Sequence, residues 1–534
     1  MFRRDFLRHA SVSLAAMGLP ETEHVHGAHL ARAAATEFFF DVRKYRAKGD
    51  GKALDSPAIN KAILAASEAG GGTVLFPAGT YRSYTIRLKS NVHLHLSPGA
   101  VILAAEVPNE GTTSGGYDSA GPAQPWESYQ DFGHNHWANS LIYGEELENV
   151  SITGPGLLWG KGLSRGEPDE LPKAESPGVG NKTIALKNCN KVNLRDFSIL
   201  MGGHFGLLLT GVDNAVIDGL TIDTNRDGMD IDCCRNVRVS NCVVNSPWDD
   251  AIVAKSSFAL GEDRPTENLL ITNCYVTGDY EFGSVIDGTF KRRIYDGWRK
   301  AVGRIKCGTE SAGGFRNVTI SNCVLEACRG IGLFIVDGGT MEDICISNIT
   351  MRNMVHPPFM LRLGKRMHGP VKEKTSLRRV ILSNVSSSGA VGRWPSIIAG
   401  IPGLPIEDVQ VNNMFLEQIG GEAPQRWSDI QPKEREVAYP DADMFGELPA
   451  NGFFLRHARG LQFSNVEVAV QKNDPRPAFW AEDIDDLDLF RIRTPEASPA
   501  FHLMNVRALR VSGSRNLTDR MQSAVTRETI HLNS

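Results

Sequence analysis

The chain has 534 residues, 41% hydrophobic and 22% charged, which suits a large folded core and excludes a disordered chain. A formal net charge of −5 with no basic field excludes nucleic acid as the main partner. No stretch reaches the roughly 18 consecutive apolar residues that mark a membrane span.

The chain opens with MFRRDFLRHASVSLAAMGLP, in which Arg3-Arg4 precede Phe6-Leu7 and a short, weakly apolar run. This is the pattern of a twin-arginine export signal, with a small-residue site near Ala31-Arg32-Ala33. Residues 1–35 are therefore expected to be a signal peptide, and 36–534 one domain of a periplasmic or secreted protein. From Ser56 to Ala69, Ile59, Ile63 and Leu64 recur at helical spacing and Gly70-Gly71-Gly72 follows as a stop. Strands are predicted over Thr73–Phe76, Thr85–Leu88 and Val92–Leu96. A single amphipathic helix before a run of strands suits a cap over the open end of a solenoid.

A repeat then takes over: KVNLRDFSI at 191, NAVIDGLTI at 214, NVRVSNCVV at 236, NLLITNCYV at 268 and NVTISNCVL at 317, continuing to ALRVSGSRN at 508. Each copy is a β-branched strand, a polar corner and a second short strand, and the tightest copies are 22 and 23 residues apart. Strands wound in one direction through such corners make an all-β, right-handed, single-stranded parallel β-helix with a short N-terminal capping helix. Cys189, Cys242, Cys274 and Cys323 each follow Asn at one place in the repeat, so they are expected as reduced thiols stacked in the core. No cysteine or histidine spacing supports zinc, and no cofactor is implied.

Asp227, Asp230, Asp232, Asp249 and Asp250 fall within 24 residues. Asp249 follows Asp227 by 22 positions, about one coil, so the two are expected on neighbouring rungs of one wall, roughly 4.8 Å apart. Paired carboxylates there can flank a substrate bond; a calcium site or plain acidic turns are the alternatives. Insertions at 106–140, 160–180, 277–311, 354–377, 387–406 and 420–450 carry Trp126, His134, His136, Trp137, Tyr280, Trp298 and Arg362, and are expected to wall a cleft.

Three segments carry a family resemblance: FDVRKYRAKGDGKALDSPAINKAI with FPAGTY; SLIYGEELENVSITGPG; and NRDGMDI, DDAIVAKS and GTESAGGFRNVTISNC. Together they resemble glycoside hydrolase family 28, the polygalacturonases, which have a pectin-lyase-like β-helix. The resemblance maps the family's Asn-Thr-Asp and Asp-Asp onto Asn225-Arg226-Asp227 and Asp249-Asp250. It implies Asp249 as general acid, Asp227 and Asp250 as activators of the attacking water, and inversion at the sugar. Crowding of these carboxylates is expected to keep one protonated. Candidate substrate contacts are Arg226, Asp230, Lys255, His204, His136, Trp298 and Arg362. The chain departs from the family in lacking Gly-His-Gly after the aspartate pair and in reading RGIGLFIVDGG where Arg-Ile-Lys is usual. The string Arg304-Ile305-Lys306 stands one repeat too early to be mapped to that motif. The expected function is exo-acting, inverting hydrolysis of a uronate-containing, pectin-type polysaccharide or oligosaccharide by a monomer or weak oligomer. A calcium-dependent β-helix lyase with an Arg or Lys base, and a non-catalytic carbohydrate-binding descendant, are the alternatives.

Overall fold

The computed structural model describes residues 38–106, 116–166, 171–294, 301–370, 375–421 and 426–533; the expected signal peptide and Trp298 lie outside them. Phe38–Ser534 form one compact unit, a right-handed parallel β-helix. The repeated strings become three walls of short strands. Seven successive strands of one wall hold the site: β1 (Lys182–Lys187), β2 (Phe205–Thr210), β3 (Asp227–Asp232), β4 (Ile252–Ser256), β5 (Ile305–Ser311), β6 (Ile331–Ile335) and β7 (Phe359–Leu363). Each pairs in parallel with the next. Register stacks Leu186, Leu209, Ile231, Ala254, Cys307, Leu333 and Leu361 in one buried column. Because side chains alternate along a strand, Asp230, Val253, Lys306 and Gly332 form the outward row of the same wall.

The polar corners have a physical basis. Asn214, Asn236, Asn268 and Asn317 adopt positive φ of 52–57°, which Asn tolerates better than most residues. Each donates its side-chain amide to the Asn one rung before, at 2.8–3.1 Å. The stacked cysteines are buried and unbridged, as their place in the repeat implied, and the Sγ atoms of Cys242, Cys274 and Cys323 donate to the carbonyls of Ser240, Thr272 and Ser321.

Helix α1 (Ser56–Glu68) caps one end of the coil with Ile59, Ala62, Ile63 and Ala66. Leu64, counted by spacing on that face, is 48% exposed instead. At the other end, Arg520–Ile530 turns back and pairs antiparallel with Phe501–Ser512. The parallel repeat gives no hint of this second closure.

Candidate active site

The three aspartates converge at the corner leading into β3 and β4. The register offset between these strands is 23, from Met229 opposite Ile252, so Asp250 rather than Asp249 lies directly across from Asp227. The backbone N–H of Asp250 donates to Asp227 Oδ1 at 3.1 Å. The corner is close-packed: a Cβ on Gly228 would fall 2.4 Å from the Ala251 carbonyl oxygen, so only glycine fits between the two rungs.

The three carboxylates have different environments. Asp249, its side chain 28% exposed, accepts from Arg226 Nη2 at 3.1 Å and Nε at 3.3 Å. Burial opposes its charge, but Arg226, Lys306 and a hydrogen bond from Asp227 hold its carboxyl well below the usual range. Asp227, 5% exposed, is pushed well above that range by burial and by the charges of Asp249 and Asp230, against the pull of Lys255 at 3.4 Å. Asp250 is buried between Arg304 and Lys306, paired with both. The surroundings of Asp227 therefore favour its protonated form, while Arg226 favours the ionised form of Asp249. An oxygen of each aspartate lies within 4.8 Å of the others. That is tighter than the roughly 6.5–9.5 Å usual between the two carboxylates of an inverting glycosidase, so spacing alone does not select inversion.

Lys255 ties this cluster to a second layer. Its buried ammonium lies 2.7 Å from Asp230 Oδ2 and 3.7 Å from Glu310 Oε2, and contacts His134 Nε2. Burial disfavours its charge, but Asp230, Asp227 and Glu310 raise its pKa well above the ordinary value. Asp232 turns to the corner backbone, accepting from Ser257 N–H at 2.8 Å.

Of the residues expected from sequence, Asp227, Asp249, Asp250, Arg226, Asp230 and Lys255 meet here, and His204 stands in the turn just before the adjoining strand β2. Two candidates are corrected. Arg362 is buried and donates to the carbonyls of Gly400 at 2.7 Å and Glu434 at 2.9 Å, so it has no face for a sugar. His136 is enclosed by its own loop, with Nδ1 on Ala120 O and Nε2 on Glu127 Oε1. Tyr280 likewise packs inside its segment, its N–H donating to Asn245 Oδ1. Sequence reasoning missed Arg304, Lys306, Glu310 and Asp131. The Arg-Ile-Lys string was the available signal: β5 pairs directly with β4, and the insertion between them disguises this as distance along the chain.

The insertions close the wall on both sides of the cluster. On one side Trp137 donates to Thr210 Oγ1 at 2.9 Å, His134 packs edge-on against Phe205, and Trp126 donates to Ala259 O at 3.1 Å. On the other, Phe445 and Leu448 pack with Phe334, Met360 and Trp394, and Tyr439 accepts from Arg304. Between these packed segments lie the three aspartates, at the corner leading into β3 and β4.

A cation-lined aspartate cluster on one wall of a right-handed parallel β-helix defines the class. Family models for rhamnogalacturonase A/epimerase, pectate lyase-like, and for the right-handed β-helix region match residues 39–156 and 184–355. A probable polygalacturonase of Vitis vinifera is 25% identical, covering 69% of this chain and 72% of that protein. An exo-poly-α-D-galacturonosidase of Dickeya chrysanthemi is 22% identical, covering 74% and 69%. The family 28 exopolygalacturonase structure of Yersinia enterocolitica superposes with a TM-score of 0.60 at 19% identity, covering 86% of this chain and 78% of that one. The chain is thus similar, at low identity, to polygalacturonase-type glycoside hydrolases and shares their β-helix fold.

Proposed function

We propose that this protein is a glycoside hydrolase that cleaves glycosidic bonds in a uronate-containing, pectin-type polysaccharide or oligosaccharide from a chain end. The observation that carries this reading is the convergence of Asp227, Asp249 and Asp250 within 4.8 Å of one another, with Arg226 on Asp249 and with Arg304 and Lys306 on Asp250. General acid/base cleavage needs one protonated and one ionised carboxyl at the same bond.

A uronate carboxylate arriving at the cluster competes with Asp249 for Arg226, since a guanidinium pairs readily with either. Once Arg226 shifts to the substrate, the proton of the pair moves to Asp249, the more exposed member, which then protonates the leaving oxygen. Asp227, now ionised and backed by Lys255, activates water. Asp250, clamped by Arg304 and Lys306, orients Asp227 through its backbone N–H. This ordering links recognition of an acidic sugar to activation of the acid. Inversion at the anomeric carbon rests on the family resemblance.

Exo-action is supported by the likeness to the exo-poly-α-D-galacturonosidase of Dickeya chrysanthemi. Reading residues 1–35 as an export signal puts the enzyme in the periplasm or outside the cell, where pectic fragments are met. Product analysis on pectic substrates tests the reaction class. Saturated reducing sugars support hydrolysis; ultraviolet-absorbing unsaturated products would move the chemistry to elimination.

A further inference from the structure

An aspartate and two histidines that the sequence holds far apart meet beside β2. Asp131 precedes the helical turn Phe132–Asn135 and accepts from the His134 backbone N–H at 3.2 Å. Its Oδ1 also lies 2.8 Å from His134 Nδ1, and its Oδ2 lies 3.3 Å from His204 Nε2. One nitrogen or oxygen from each of the three falls within 4.8 Å of the others. Folding of the insertion that carries Asp131 and His134 brings them to His204.

His204 adds an independent observation. It is only 3% exposed, yet neither ring nitrogen completes a hydrogen bond, because Nε2 faces Asp131 at poor geometry. A buried polar group left in that condition is destabilising unless a partner fills the place. The Nδ1 side of the ring is pressed against Gly166, at φ +72°, where a Cβ would come within 2.3 Å of that nitrogen. Only Nε2 is left to point at Asp131. The other nitrogen of His134, Nε2, lies 3.2 Å from Asp230 Oδ2 and also contacts the Lys255 ammonium that Asp230 holds. A carboxylate behind an imidazole is the outer partner that metal-bound histidines usually have.

We propose that Asp131, His134 Nδ1 and His204 Nε2 form a binding site for a divalent transition-metal ion of the zinc type. Two imidazole nitrogens and one carboxylate oxygen suit Zn²⁺, whereas Ca²⁺ and Mg²⁺ take oxygen ligands. The Asp131 side chain is 45% exposed, which gives the ion an entry path and leaves a fourth position for water. A bound ion fastens the 116–139 insertion to the turn just before β2, beside the aspartate cluster.

The test is titration of the metal-free, full-length protein with Co²⁺, read by visible d–d absorption, with Zn²⁺ as competitor. One equivalent of tetrahedral-type absorption, displaced by Zn²⁺, is expected, together with a rise in Tm on adding Zn²⁺. His204→Gln is expected to weaken binding by more than the roughly 10–100-fold typical of losing an outer partner. Asp131→Asn, at an exposed position that leaves the wall intact, is expected to weaken it too and to abolish the Tm rise. Absence of Co²⁺ absorption in the parent protein would overturn the proposal. So would absorption unchanged in Asp131→Asn, which would place the ion on other histidines of the chain.

Discussion

Arg226 donates to the same oxygen of Asp249, Oδ2, from Nη2 at 3.1 Å and from Nε at 3.3 Å. The guanidinium favours the charged form of Asp249, so removing it raises the pKa of that carboxyl. Arg226→Thr is expected to move the acid limb of the kcat/KM–pH profile upward, by about 1–3 units for loss of an adjacent opposite charge. The limb reports uptake of a second proton by the Asp227–Asp249 pair. The same substitution is expected to raise KM for acidic substrates more than for methyl-esterified ones. An unmoved acid limb would remove Arg226 from the proposed mechanism.

Asp227 carries a pKa of the opposite sign. Its folded value is raised above 3.8, so the stability it contributes is fully present below that pH and is lost as pH rises toward the folded value. Asp227→Asn keeps a neutral side chain there at every pH. It is expected to abolish turnover while raising Tm at pH 7–8, with little change near pH 3. Equal Tm differences at both pH values would mean that Asp227 is not the protonated member.

Glu310 and Asp230 titrate the other way. Burial opposes their charge, but Lys255 lowers both, with Arg366 acting on Glu310 and His134 on Asp230. Their contribution is present above the unfolded values and is lost as pH falls through the folded ones. Denaturant midpoints are therefore expected to drop as pH falls below about 4. Lys255→Met, which removes their shared cation, is expected to flatten that drop.

Asp250 has no exposure and two cationic partners, Arg304 and Lys306. Lys306→Met leaves a buried carboxylate with one partner and is expected to cost about 3–5 kcal/mol in urea unfolding. A cost below about 1 kcal/mol, as for a surface ion pair, would contradict the buried clamp.

Trp137 anchors one cover through Thr210 and lies over the Lys187 ammonium at 4.3 Å. Trp137→Ala is expected to loosen that cover and lengthen the products released from polygalacturonate. Products of unchanged length would mean that this segment does not set the mode of action.

The coil was legible because Asn corners and β-branched strands recur with the rung itself, and the aspartates sit on two rungs with no insertion between them. Arg304 and Lys306 were not legible as partners of Asp250: they belong to the next rung, but lie 54 and 56 residues along the chain. Asp131 and His134 come from a fold-back that has no period to read. Arg362 misled in the opposite direction. Its strand position points outward, as a clamp would, but the 426–450 segment covers it and supplies a backbone carbonyl that takes one of its hydrogen bonds. Which carboxyl keeps the proton depended on the cation beside each one, a feature of side-chain placement rather than spacing.

The most direct measurement is product release from polygalacturonate and its oligomers by the parent protein beside Asp249→Asn. Hydrolysis at the aspartate cluster requires saturated sugars freed from a chain end. It also requires a fall in turnover of about 10²–10⁴-fold in the variant, the usual worth of a general acid. Turnover unchanged in Asp249→Asn, or an unsaturated product, would contradict it.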